Sequence, residues 1–267
     1  MIDRYINNKI NAIWNDQNRF DTWKHIQEKY VETLEELKIA ESGIAKKIRK
    51  AEISKEEVYK QEKVTNHDLA SFVDILQKKV GEGSNWVHYG LTSSDIVDSA
   101  NSLLILQSIE IAQELILDLL KELKLKAKEN KDTKIIGRTH GVYAEETFLG
   151  NIFGNWYLEI KRSLDRVERA KVSIAYGKLS GPVGNHTVVT EEMEEITLEK
   201  LGLKPEIFAS QIVSRDRYAE VFTSLSILAS TYERISTNLR SYQRSEISEM
   251  YEPCLLYTSP SPRDDSQ

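Results

Sequence analysis

Residues 88–130 read HYGLTSSDIVDSANSLLILQSIEIAQELILDLLKELKLKAKEN, and the reading of this stretch decides the fold. Ile96, Ala100, Leu103, Ile105, Ile109, Ala112, Ile116, Leu119 and Leu123 recur at helical spacing, and Leu104, Ile111, Leu115 and Leu120 widen the stripe beyond one face. The pattern predicts one long helix over roughly 94–130, buried on several sides. Just before it stand an imidazole (His88), a glycine turn (Gly90) and the hydroxyls of Thr92 and Ser93. A helix start leaves backbone N–H groups unpaired and carries partial positive charge, so added hydroxyl donors make it suited to a carboxylate or phosphate. The plainer alternative is that Ser94 or Asp95 only caps the helix and His88 is a loop residue.

Outward from this helix the chain stays helical. A second long helix is expected over 142–174 and a short one over 191–201, stopped at Gly202. The glycine turn at residues 180–184, SGPVG, reads as a plain connector. A third long helix begins near 215, where Tyr218, Val221, Leu225, Leu228, Tyr232, Ile235, Leu239 and Tyr242 alternate steps of three and four, the seam of helices packed side by side. Upstream, helices are expected over 16–41, 54–63 and 66–80, the second opened by a capping-box pattern from Ser54 to Glu57. Helices of the longer kind reach roughly 50 Å at 1.5 Å per residue. The fold class is therefore all-α: a helical N-terminal domain over 1–93, then a long-helix bundle over 94–253. Taken alone, the pattern fits a structural scaffold as readily as an enzyme.

Three of the five histidines sit in short polar segments. His67 lies in TNHD (65–68), at the entry to a helix carrying Leu69, Phe72, Val73 and Leu76. His88 precedes the long helix. His140 lies in GRTHG (137–141), a glycine-bracketed loop between long helical stretches, and loops held by rigid helices often carry catalytic groups. Each histidine by itself is as readily structural, and His25 and His186 have no such setting.

Composition narrows the classes. The 267 residues, 40% hydrophobic, suffice for a substantial core and two segments of domain size. No apolar run approaches the ~20 residues of a membrane span, and Asp3, Arg4 and Lys9 exclude a secretory signal, so a cytoplasmic protein is expected. A net charge of −6 argues against general attraction to nucleic acid, so any anionic ligand must be held by local groups. The single cysteine, Cys254, leaves no disulfide or thiolate metal site.

Five dispersed strings, Arg4-Tyr5, TNHDLA (65–70), SNWVHYGLTSSD (84–95), GRTHGVYAE (137–145) and QIVSRDRYAE (211–220), resemble the adenylosuccinate lyase family of the aspartase/fumarase superfamily, in matching order up to about Pro253. The resemblance implies elimination of fumarate from adenylosuccinate, giving AMP, and from the succinylated carboxamide nucleotide of purine synthesis. It also implies no cofactor or metal, and a homotetramer whose sites draw on three subunits. It assigns His140 as general acid, and Asn66, His67, Asp68 and His88 to substrate binding. Arg4 and Tyr5 become nucleotide contacts and Gln211 an amide contact, with Thr92 and Ser93 gripping a succinyl carboxylate. The chemistry agrees. Breaking a carbon–nitrogen bond beta to a carboxylate needs a base for the carbon proton, donors for the aci-carboxylate and an acid for the leaving nitrogen. Histidine and hydroxyl groups fit the last two. Other superfamily lyases, of the argininosuccinate lyase or carboxymuconate cycloisomerase type, and a non-catalytic helical assembly protein remain alternatives.

The sequence also departs from the family. Residues 144–147 read AEET where Ala-Glu-Pro-Thr is usual, and Tyr143 stands where histidine is common. The loop Gly-Ser-Ser-x-Met-Pro-x-Lys-x-Asn, whose serine is assigned as the carbon base, is expected soon after Glu252-Pro253 and does not occur. Three of five prolines and the only cysteine fall in the last fifteen residues, whereas residues 206–252 hold neither proline nor glycine. Residues 254–267 are thus read as a non-native tail on an interrupted reading frame, with an incomplete bundle and a missing third domain. A natural disordered terminus is the other reading of this Ser/Pro-rich stretch.

Overall fold

The computed structural model describes residues 5–251, so Arg4, Cys254 and the rest of the segment 252–267 lie outside the described residues. In chain order the elements are α1 (Asn8–Trp14), α2 (Asp16–Glu36), α3 (Ile44–Lys50), α4 (Lys55–Thr65), α5 (Asp68–Val80), α6 (Ser93–Glu129), β1 (Lys134–Thr139), β2 (Val142–Phe148), α7 (Leu149–Ile174), β3 (Tyr176–Gly177), α8 (Glu191–Lys200), β4 (Lys204–Pro205) and α9 (Asp216–Tyr242). The fold is mostly helical, as the periodicity predicts, and α6, α8 and α9 begin within one residue of the expected positions.

Two expectations are corrected. The stretch 142–174 is not one helix: its first seven residues form β2, paired antiparallel with β1 from Lys134↔Phe148 to Thr139↔Val142. Ile135, Ile136, Val142, Tyr143 and Phe148 are the β-branched and aromatic residues a two-stranded ladder favours. The helix expected over 16–41 ends at Glu36, because Lys38 turns left-handed at φ 58° and the N–H of Ile39 returns to the carbonyl of Leu34. Along α6, Ile96, Ala100, Leu104, Ile105, Ile109, Ile116, Leu120 and Leu123 are buried, while Leu115, Leu117 and Leu125 are exposed. The capping box at α4 is present as read, with Ser54 and Glu57 each accepting the other's backbone N–H. The seven-residue helices α1 and α3 are too short to show periodicity and were not foreseen.

The described chain forms two compact units. The first runs up to Leu115 and includes Val167–Phe222. Its core sets Phe20, Trp23, Ile26, Tyr30 and Leu34 of α2 among Phe72 and Leu76 of α5, Ile96 and Ala100 of α6, and Met193 and Leu198 of α8. Phe20 and Trp23 meet edge to face at 5.3 Å, and Trp23 meets Phe72 at 5.6 Å. Each such side chain contributes about 2–3 kcal/mol by leaving water. This core fixes the first turns of α5 and α6, where the candidate site lies.

The second unit comprises Ile116–Arg166 and the chain from Thr223 on. Leu120 and Leu123 of α6, Trp156, Ile160 and Leu164 of α7, and Leu228 and Ile235 of α9 are among its buried residues. Gly150 admits no side chain, because a Cβ there would stand 2.6 Å from the carbonyl oxygen of Ala127. An ion pair between Arg234 and Glu159 joins α9 to α7.

Candidate active site

The start of α6 is built around a buried carboxylate. Asp95 Oδ2 accepts the N–H of Thr92 at 2.8 Å and that of Gly181 at 3.2 Å, while Oδ1 is paired with Lys178 Nζ. Lys178, itself fully buried, donates a second bond to the carbonyl of Gly181 at 2.8 Å. Burial holds the Asp95 carboxyl above the usual carboxylate range, and the Lys178 ammonium with the two backbone N–H groups offsets this only in part. Asp95 therefore does cap the helix, and the hydroxyls of Thr92 and Ser93 are left free of that task. The turn at 180–184 is consequently no plain connector. It is fastened to the first turn of α6, and farther along Glu194 accepts the N–H of Leu179 at 2.6 Å and pairs with His186 at 2.9 Å. Gly90, at φ 70°, is required here, since a Cβ would stand 2.5 Å from Val188 Cγ1.

His67 caps α5 and is brought to this helix start. Its N–H is accepted by Thr65 Oγ1 at 3.2 Å, and its carbonyl accepts the buried Ser71 hydroxyl at 2.8 Å. On the ring, Nδ1 accepts the N–H of Ala70 at 3.4 Å, and Nε2 lies 3.3 Å from Ser93 Oγ. Asn66 closes α4 in a left-handed conformation, φ 53°, and Asp68 is the first residue of α5.

His88 is the most constrained of the three histidines. Its backbone is left-handed, φ 64°, and the side-chain amide of Gln27, fully buried on α2, meets it twice: Oε1 accepts the backbone N–H at 2.9 Å and Nε2 lies 2.8 Å from Nδ1. The hydroxyl of buried Tyr30 donates to the carbonyl of Tyr89 at 2.8 Å and holds the adjoining peptide. Burial, aided by the nearby His67, depresses the His88 pKa to about 4, so the ring is neutral at physiological pH.

One turn farther along α6, Asp98 receives the N–H of Val213 at 2.8 Å and Arg215 Nη2 at 3.0 Å. It thereby anchors the loop bearing the exposed Gln211. Tyr5 is exposed as well. His140 belongs to the second unit, where it and Gly141 form the two-residue turn of the β1–β2 hairpin, both at positive φ, 55° and 77°. The expected loop is thus a hairpin tip, and His140 is exposed on it. Arg138 braces the hairpin with a two-point pair to Glu249 at 2.8 and 3.1 Å. No group of three His, Cys, Asp or Glu side chains able to hold a metal occurs among the described residues, and no described helix is long and apolar enough to cross a membrane.

Sequence reasoning missed Gln27, Asp95 as an organising group, Asp98 and Lys178. The available signal was the spacing of Asp95, Asp98, Ser99 and Ser102, all buried on one face of α6, a polar stripe inside an otherwise apolar helix.

The scaffold is helical, with histidines and hydroxyls gathered at one helix start, and the chain belongs to the lyase family, whose model matches residues 7–260. Among its relatives, the adenylosuccinate lyase of Thermotoga maritima is 40% identical over 254 residues, 95% of this chain and 59% of the relative. That of Aquifex aeolicus is 38% identical over 257 residues, again 95% and 59%. The chain thus spans about three-fifths of the length of these relatives. The solved beta-carboxy-cis,cis-muconate cycloisomerase of Acinetobacter calcoaceticus shares the fold, with TM-score 0.86 and 21% identity over 93% of this chain and 61% of that one.

Proposed function

We propose that the chain carries part of a cytoplasmic lyase that eliminates fumarate from adenylosuccinate to give AMP, and from the succinylated carboxamide nucleotide of purine synthesis. The observation that carries this reading is the approach of His67 Nε2 to Ser93 Oγ at the first turn of α6, 3.3 Å apart, where a carboxylate would meet helix N–H groups, hydroxyls and an imidazole together. The preference for a purine substrate rests on the relatives' names.

In this reading Thr92, Ser93 and the α6 N-terminus hold the succinyl carboxylate as charge builds on it. Asn66, His67, Asp68 and His88 bind the substrate, Arg4 and Tyr5 contact the nucleotide, and Gln211 contacts an amide. His140 protonates the leaving nitrogen from the tip of its hairpin. The active form is a homotetramer, whose formation would cover Leu115, Leu117, Leu158 and Phe222, all more than half exposed in one chain. The division into 1–93, 94–253 and a non-native 254–267 belongs to the same reading. The 267-residue chain is expected to be inactive by itself, because its sequence lacks the serine assigned as carbon base.

The test is a chain extended to the length of its relatives, incubated with adenylosuccinate and, separately, with argininosuccinate, while fumarate release is followed. Turnover of adenylosuccinate alone is expected. Release from argininosuccinate in its place would shift the assignment to another superfamily lyase, and release from neither would return the chain to the helical-scaffold alternative.

A further inference from the structure

We propose that Gln27 is a positioning residue that locks the imidazole of His88 in the Nε2–H tautomer, so that His88 offers the substrate a neutral hydrogen-bond donor at the ring edge opposite the amide. The second half of this statement rests on the elimination reading above; the first does not.

The argument needs only donor and acceptor identities. The backbone N–H of His88 can only donate, so the Gln27 atom 2.9 Å away is the oxygen. The amide nitrogen then faces Nδ1 at 2.8 Å, and an amide NH2 can only donate. Nδ1 must therefore present its lone pair, and a neutral imidazole with a bare Nδ1 carries its proton on Nε2. Flipping the amide would set NH2 against a backbone N–H and oxygen against Nδ1, losing the first bond outright. Protonating Nδ1 would drive N–H against NH2, so the grip also opposes the cationic ring. The amide cannot swing aside cheaply, since Gln27 is fully buried on α2 and would leave buried polar atoms unpaired. Among the described residues no group is hydrogen-bonded to His88 Nε2, which leaves that N–H for an acceptor oxygen of a ligand.

This separates His67 from His88. His67 caps a helix and stands half exposed at Ser93, whereas His88 is held as a fixed dipole. A carboxylate or phosphate oxygen bound by His88 keeps the same contact across the working pH range.

The direct test is nitrogen-15 NMR of the histidine-labelled 267-residue chain, with His88 assigned by its loss in His88→Asn. At pH 7, Nδ1 is expected at the shift of an unprotonated imidazole nitrogen and Nε2 at that of a protonated one. Gln27→Glu, close in shape but with an oxygen facing Nδ1, should move a proton onto Nδ1, giving the opposite tautomer or the cation. Gln27→Leu, which adds no charge, should abolish the tautomer preference. A wild-type spectrum with Nδ1 protonated, or an unchanged pattern in both variants, overturns the assignment, and the wild-type result stands even if a variant fails to fold. In the extended chain, Gln27→Glu should raise KM for adenylosuccinate tenfold or more and introduce a new ionisation into the kcat/KM profile. A moved tautomer with unmoved KM and profile would overturn the ligand role while leaving the elimination reading intact. An inactive extended wild type would overturn the ligand role along with that reading, and the spectra would still decide the tautomer.

Discussion

Lys178 and Asp95, 83 residues apart in sequence, form an ion pair sealed from solvent behind the first turn of α6. Removing one partner strands the other charge, so Asp95→Asn and Lys178→Met should each destabilise the chain by about 3 kcal/mol or more. Urea denaturation should show it as a lower midpoint at unchanged slope. The double replacement Asp95→Asn/Lys178→Met is expected to cost clearly less than the sum of the single changes. Strict additivity would mean that the pair is not coupled.

Gly90 gives a steric counterpart. Alanine there would require a left-handed residue at φ 70° and a contact of 2.5 Å with Val188, so Gly90→Ala should cost roughly 2–3 kcal/mol. Adding Val188→Ala should recover part of the loss and leave the backbone strain. No recovery would place the clash elsewhere.

What the sequence made legible was periodicity, and what it hid was partnership. Ile96, Ala100 and Ile109 announce α6 because every apolar residue adds to one stripe. Asp95 reads only as a candidate helix cap and Asp98 carries no signal of its own, because their partners Lys178 and Arg215 come from more than eighty residues away. Gln27 carries no local mark at all, since its meaning lies in a histidine 61 residues later. The hairpin was hidden for another reason. Ala144, Glu145 and Glu146 are sound helix formers, and the antiparallel pairing of β2 with β1 overrides them. The missed cue was a two-residue turn, His140-Gly141, flanked by Thr139 and Val142.

The depressed pKa of His88 predicts an acid-labile chain. Above pH 6.5 the ring is neutral both folded and unfolded, and its titration does not affect stability. Between 6.5 and about 4 the unfolded chain binds a proton that the folded chain refuses, so stability falls through that window and levels off below it. At about 1.4 kcal/mol per pH unit the loss amounts to about 3 kcal/mol. His88→Asn should lack this component, and the stability gap between wild type and variant should narrow by that amount between pH 7 and pH 4. Parallel curves would show that His88 is not the group responsible.

Thr92 and Ser93 are assigned to one end of the substrate. In the extended chain Thr92→Val/Ser93→Ala should weaken fumarate and adenylosuccinate binding at least tenfold and leave AMP binding nearly unchanged, because hydroxyls and helix N–H groups serve the carboxylate. Equal loss of AMP affinity, measured by calorimetry, would move the site to the nucleotide end.

His140 stands exposed at the tip of the β1–β2 hairpin, next to Arg138 and its pair with Glu249, and the proposed reading makes it the general acid. His140→Gln in the extended chain should lower kcat about a hundredfold or more, the scale of a lost general acid, with little change in KM. Because His140 and His88 belong to different compact units, shared sites make a second measurement decisive. Refolding His140→Gln together with His88→Gln should regenerate sites carrying neither defect, with activity well above either variant alone. If mass spectrometry verifies mixed tetramers and activity does not rise, the two histidines serve one site from the same chain. If His140→Gln alone retains near-normal turnover, the acid is another group, and the hairpin is a structural element of the second unit.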